Sequence, residues 1–172
     1  MLLTKIKPPG GAATSLDLLS KEARMYKHIL VTTDGSRLAA RGVKAGVRLA
    51  KALGARVTGV YVIPRYVPPM YGEAAIYVPG VSPRDYKRIT EKHAKKALAL
   101  VEIEARMAGV PFATKFVIED PAWKGILRVA RAAKCDAIVM ASHGRGGLGG
   151  LILGSATHRV LAQSRIPVLV VR

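Results

Sequence analysis

The chain has little cysteine, few aromatic side chains and few acids, and each shortage narrows what it can be. One cysteine, Cys135, excludes an intrachain disulfide, and a reducing cytoplasm is the compartment this composition suits. Apolar runs are short: 137–141 and 166–171 fall far below the roughly 20 residues that span a bilayer. No membrane insertion is therefore expected. The N-terminus reaches Pro8-Pro9-Gly10-Gly11 without an apolar core, so no secretory leader is expected. No metal-ligand cluster and no nucleophile–base–acid arrangement stands out.

Acids are scarce relative to bases: 28 Lys and Arg face 11 Asp and Glu, a net charge of +17. Such a balance suits anionic partners, whether nucleotide, nucleic acid or membrane surface, or simply a well-solvated exterior. The bases are spread along the chain. The densest group, Lys92, Lys95 and Lys96, lies in a segment of helical periodicity. With no run of five bases and no aromatic-rich RNA-binding motif, nucleic acid rests on charge alone.

A chain of 172 residues holds one domain. Residues 1–24, with their Pro-Pro-Gly-Gly break, read as an extension ahead of a domain over 25–172. From Tyr26 strands and helices alternate. The apolar segment 28–33 ends at Asp34-Gly35-Ser36, where Ser36 can cap a helix to about Leu53 carrying Ala39, Val43, Val47 and Ala50 on one stripe. Gly54 stops that helix, and 56–63 is the second strand. Residues 64–82, rich in Pro, Gly and Tyr, form a long excursion of the kind that is functional or mobile. Ser82-Pro83 opens a long helix to about Ala108, and 111–118 is a third strand. Asp120 reads as a cap for a helix that Pro121 begins and that runs to Ala133. Then come an apolar strand over 135–141, a glycine-rich loop, a last helix opened by Gly154-Ser155, and a strand over 167–171. This β-α-β-α-β-α-β-α-β order predicts a doubly wound, five-stranded parallel sheet with helices on both faces. Ligands in such sheets sit beyond the carboxyl ends of the strands, where strand order reverses.

The segment 140–157 carries the chemistry. Its glycines let the backbone approach a ligand, its N–H groups can form an anion nest, and Gly154-Ser155 places a helix N-terminus beside it. Ser155 brings a hydroxyl and Arg145 a charge. Two familiar phosphate motifs fail here. Gly144-x-Gly146-x-x-Gly149 follows the fourth strand rather than the first and has no acid downstream, and Gly149-x4-Gly154 lacks the lysine of a P-loop. A third pattern fits. Ala141-Ser-His-Gly144, nine residues, then Gly154-Ser155, resembles the ATP-binding branch of the universal stress protein family, with alanine at the first glycine. The strand ending in Asp34, Val60-Tyr61-Val62, Asp120-Pro121 (with Glu119 at a glycine position) and the closing Arg165-Ile-Pro-Val-Leu-Val-Val extend the resemblance over residues 25–172.

The resemblance implies an adenine and ribose pocket lined by Thr32, Thr33 and Asp34, with Val62 and Met140 against the base. It implies that Ala141 and Gly144 pass close to the ribose and phosphates, with His143 and Arg145 beside them, and that Gly154, Ser155 and Ala156 bind phosphate oxygens. It also implies ATP with Mg²⁺ carried by the nucleotide, slow or no hydrolysis, a nucleotide-responsive stress-response role, and homodimers paired through the C-terminal strand. A scaffold of the same fold that binds no nucleotide is the alternative. His143 reads as a local hydrogen-bonding residue, His158 as a surface histidine, Cys135 as core, and Trp123 as packing on a helix surface.

Overall fold

The computed structural model describes residues 25–66, 82–144 and 153–172; the extension over 1–24, most of the 64–82 excursion and the glycine loop with Arg145 lie outside them. Five strands and four helices alternate: β1 (His28–Thr32), α1 (Arg37–Leu53), β2 (Arg56–Ile63), α2 (Pro83–Ala108), β3 (Phe112–Ile118), α3 (Ala122–Ala132), β4 (Ala137–Ala141), α4 (Ser155–Gln163) and β5 (Val168–Val171). All pairings are parallel, in the order β3-β2-β1-β4-β5. The expected sheet is therefore present, and its order reverses between β1 and β4.

Local chemistry sets the element ends. Ser36 Oγ accepts the Ala39 N–H at 3.1 Å and starts α1, and Ser82 Oγ accepts the Asp85 N–H at 3.1 Å and starts α2. Gly54 and Gly109, both left-handed, end those helices, as residues without a Cβ readily can. Asp120 departs from expectation. Pro121 occupies the N-cap position of α3 and no side chain caps that helix. The Glu119 carboxylate beside it is held by Arg65 at 2.8 Å and by Arg128 at 3.5 Å. Burial pushes the Glu119 carboxyl up, but the Arg65 hydrogen bond and the two guanidinium charges outweigh it and hold the group below its ordinary range.

Strand alternation splits the core in two. Ile29, Val31, Val57 and Val139 face α1 and α2, packing on Val43, Val47, Ala50, Val101 and Ala105. Leu30, Val60, Ile138 and Met140 face α3 and α4, packing on Ile126, Val129, Ala130 and Val160. Ile29, Leu30 and Ile138 are wholly buried, each contributing about 1.5–3 kcal/mol. Cys135 belongs to the second layer, where burial and then Asp136 push its thiol up to about 11; it is a core residue, as read. Asp136, the polar exception beside β4, accepts the Lys27 N–H at 2.7 Å and the His28 N–H at 3.0 Å. It thereby ties the start of β1 to β4.

His28 is buried, and its Nε2 lies 2.7 Å from Thr58 Oγ1. Burial first, then the Arg56 charge, hold its pKa below the ordinary 6.5, against the pull of Asp136. As pH falls below 6.5 the unfolded chain takes up this proton before the folded one does, so stability is lost on the way to the folded-state pKa. Melting temperatures between about pH 7.5 and 5.5 should therefore fall in the native protein and fall less in His28→Gln. Equal slopes would show that His28 does not couple.

Candidate nucleotide site at the strand-order reversal

Where β1 and β4 end side by side, the chain leaves in opposite directions and a crevice opens. On the β1 side, Thr32 and Thr33 are buried and the Thr33 N–H extends the ladder to Val60 O at 3.0 Å. Asp34 follows. Its Oδ1 accepts the Ser36 N–H at 2.9 Å, and Thr33 Oγ1 accepts the Gly35 N–H at 3.1 Å. Asp34 is thus a turn-forming residue, and the same turn aims its second oxygen across the crevice. A Cβ built on Gly144 would lie 2.5 Å from Asp34 Oδ2. Glycine at 144 is what allows this carboxylate to meet the β4 loop.

On the β4 side, Met140, Ala141 and Ser142 are buried. Ser142 O accepts the Gly154 N–H at 2.8 Å, and Thr157 Oγ1 donates to Ala141 O at 3.0 Å. These two bonds pin the start of α4 to the end of β4. A Cβ on Gly154 would come within 3.0 Å of His143 Cα, so the helix N-terminus is set against the strand as closely as backbone allows. Gly154 is the N-cap and offers no side chain to the first N–H groups of α4. Helix N-termini in that state favour anions.

The crevice encloses a cavity of about 120 Å³. It is smaller than the roughly 300–1,000 Å³ of ordinary ligand pockets, so a larger ligand would project from its mouth. Nine of the residues singled out from the sequence line it: Thr32, Thr33, Asp34, Val62, Met140, Ala141, His143, Gly144 and Ala156. Gly154 and Ser155 stand next to that lining at the helix start. Arg145 is among the residues not described. His143 Nδ1 lies 3.1 Å from Ser142 Oγ, the local bond expected of it, and His158 is exposed.

Five lining residues were not anticipated: Ala39, Val60, Ala122, Ile126 and Thr157. Val60 was readable, because it shares a strand face with Val62. Ala122 and Ile126 stand one turn apart on α3, but the sequence does not say which helix covers which strand. Gly125 brings α3 close enough that a Cβ there would touch Val62 Cγ1 at 2.9 Å.

Comparison with known proteins decides the family. The universal stress protein family model matches residues 25–172. The chain belongs to the universal stress protein family. Relatives include a universal stress protein of Thermus aquaticus, 34% identical over 86% of this chain and 100% of its own. Another, from Methanocaldococcus jannaschii, is 32% identical over 86% of this chain and 83% of its own. Solved structures share the fold. They include a universal stress protein in complex with cAMP (TM-score 0.63, 23% identity, 86% and 98% of the two chains). The Archaeoglobus fulgidus universal stress protein in complex with dAMP is another (TM-score 0.59, 19% identity, 86% and 99%).

Proposed function

We propose that this universal stress protein binds an adenine nucleotide, ATP with its Mg²⁺, in the crevice between β1 and β4. The observation that carries the reading is the meeting of Asp34, Gly144 and the α4 N-terminus at the strand-order reversal. Val62 and Met140 supply apolar surface for the base. Asp34 Oδ2 supplies an acceptor for ribose hydroxyls. With the Gly154 N–H held by Ser142 O, the Ser155 and Ala156 N–H groups, and the Ser155 hydroxyl, supply donors for phosphates leaving the mouth. Two structural neighbours solved with adenine nucleotides support the ligand class. Mg²⁺ would ride on the phosphates, as that ion usually does; Asp34 is the carboxylate at the cavity, and no group of three or more acidic, His or Cys residues gathers among the described residues.

Binding would shift the population of partner-competent states, with slow or no hydrolysis. The surface for a second copy is β5, an edge strand whose Leu169 is 47% exposed; edge pairing would cover it. No described helix is long and apolar enough to cross a membrane, and the cytoplasm is the compartment proposed. The test is a melting series with Mg-ATP. Ligand at about a hundred times Kd should add about 2.7 kcal/mol, and Asp34→Ala and Ser155→Ala should each shrink the increment. An intact protein whose melting ignores ATP, ADP and AMP would favour the scaffold.

A further inference from the structure

The scattered cations of the sequence become a line once α1 is built. Arg37, Arg41, Lys44, Arg48 and Lys51 recur at i, i+4, i+7, i+11 and i+14 of one helix. At 3.6 residues per turn they fall within an arc of roughly 80° and along about 21 Å, one cation per 5 Å or so. All five are exposed. The helix contains no acidic residue. Lys44 pairs with Glu104 of α2 at 3.6 Å; among the described residues the other four enter no ion pair. Arg37 also stands in the first turn, where the helix dipole disfavours a cation. An ordinary solvated helix intersperses signs; this one keeps a single sign along its whole exposed edge.

The ribbon leads into a second cavity, of about 510 Å³, where Arg37 and Arg41 meet Arg172, Ser142 and His143. No acidic side chain is among its described lining residues. This cavity shares Ser142 and His143 with the β4 end but lies on the α1 side, away from Val62 and Met140.

We propose that α1 and this cavity form a docking surface for the phosphate backbone of a nucleic-acid strand. The line of guanidinium and ammonium groups matches a chain of regularly spaced phosphates, and arginine forks suit phosphate oxygens. α1 holds no aromatic residue on which bases could stack, so binding is sequence-independent. An anionic membrane fits less well. A membrane-surface helix needs an apolar face to insert, and the apolar face of α1 (Val43, Val47, Ala50) is buried against the sheet. The cavity borders the nucleotide crevice through His143, whereas Lys44, Arg48 and Lys51 line neither cavity.

The test is fluorescence anisotropy with a labelled single-stranded oligonucleotide of roughly 30 nucleotides, read at several salt concentrations. Five cations outside ion pairs among the described residues, four on α1 and Arg172 in the cavity, predict a slope of about −3.5 in log K against log salt, hence about 130-fold weaker binding between about 50 and 200 mM. In R41Q/R48Q/K51Q the slope should fall to about −1.4 and the loss to about sevenfold. The charge-preserving R41K/R48K/K51R should keep the native slope. R131Q/R159Q/R165Q, which removes three exposed cations on the far side of the sheet, should keep it too. Equal loss in the two glutamine triples would reduce the effect to net charge and overturn the proposal. So would native protein that ignores the oligonucleotide at low salt, or that binds phosphatidylserine vesicles instead and loses them in R41Q/R48Q/K51Q. Circular dichroism melting, unchanged in the exposed-site variants, keeps misfolding out of the comparison.

Discussion

Gly46→Val should destabilise the protein by at least about 2 kcal/mol, the overpacking range for a well-filled core, and lower its melting temperature by about 5–10 °C for a chain of this size. Glycine inside a helix is ordinarily a weakness, and filling it gains up to about 1 kcal/mol of helix propensity. At Gly46 packing reverses that sign. A Cβ there would lie 2.6 Å from Val31 Cγ2 and 3.3 Å from Val139 Cβ. Both valines are wholly buried and sit on the central strand β1 and its neighbour β4. Neither can turn away without opening a hole or striking another neighbour, because β-branched side chains have few rotamers. Ala52→Val, on the exposed side of the same helix, introduces the same side chain without overpacking and carries only the modest propensity cost of valine against alanine. Urea unfolding of the two variants should separate them by most of the predicted loss, with similar m-values. Equal stabilities would mean that α1 can back away from the sheet at little cost.

In Gly144→Ala the nucleotide affinity should fall by about 10- to 100-fold, or roughly 1.4–2.8 kcal/mol, with far less effect on stability than Gly46→Val. The added methyl would stand 2.5 Å from Asp34 Oδ2, so one of the two must move. Asp34 can move only by surrendering the Ser36 N–H that its other oxygen holds at 2.9 Å, and that bond shapes the turn feeding α1. The substitution therefore acts through Asp34, which predicts non-additivity. Asp34→Ala should weaken binding by itself, and Gly144→Ala added to it should cost little more. Full additivity in that double-mutant cycle would show that the two positions serve separate parts of the ligand.

Much of this was legible before any coordinates. Asp34 and the loop from Ser142 were readable at one edge because a parallel β/α alternation sends every strand end there, whereas Val62, Met140, Ala141 and Gly144 were singled out through the family resemblance. Ser36, Gly54 and Ser82-Pro83 were readable because capping is local chemistry. Asp120 failed for the converse reason. Aspartate before proline is a common cap pattern, but the chain places Pro121 itself at the cap. Gly42, where a Cβ would lie 3.3 Å from Ala141 N, Gly46 and Gly125 meant nothing in the sequence, since a close helix–sheet approach depends on which faces pack. The same holds for Ile126 and Ala122, and for the cation line on α1: its charges looked dispersed because a spacing of three or four residues gathers them only on a helix.

Nucleotide binding itself is tested by a calorimetric titration of the intact protein, freed of co-purified nucleotide, with Mg-ATP. The nucleotide reading predicts saturable one-site binding in the micromolar range, about −8 kcal/mol, weakened in Ser155→Ala and lost in Gly154→Val. The second variant places side-chain atoms against His143 at the α4 start. No heat of binding in the intact protein would contradict the account and leave the fold as an interaction scaffold.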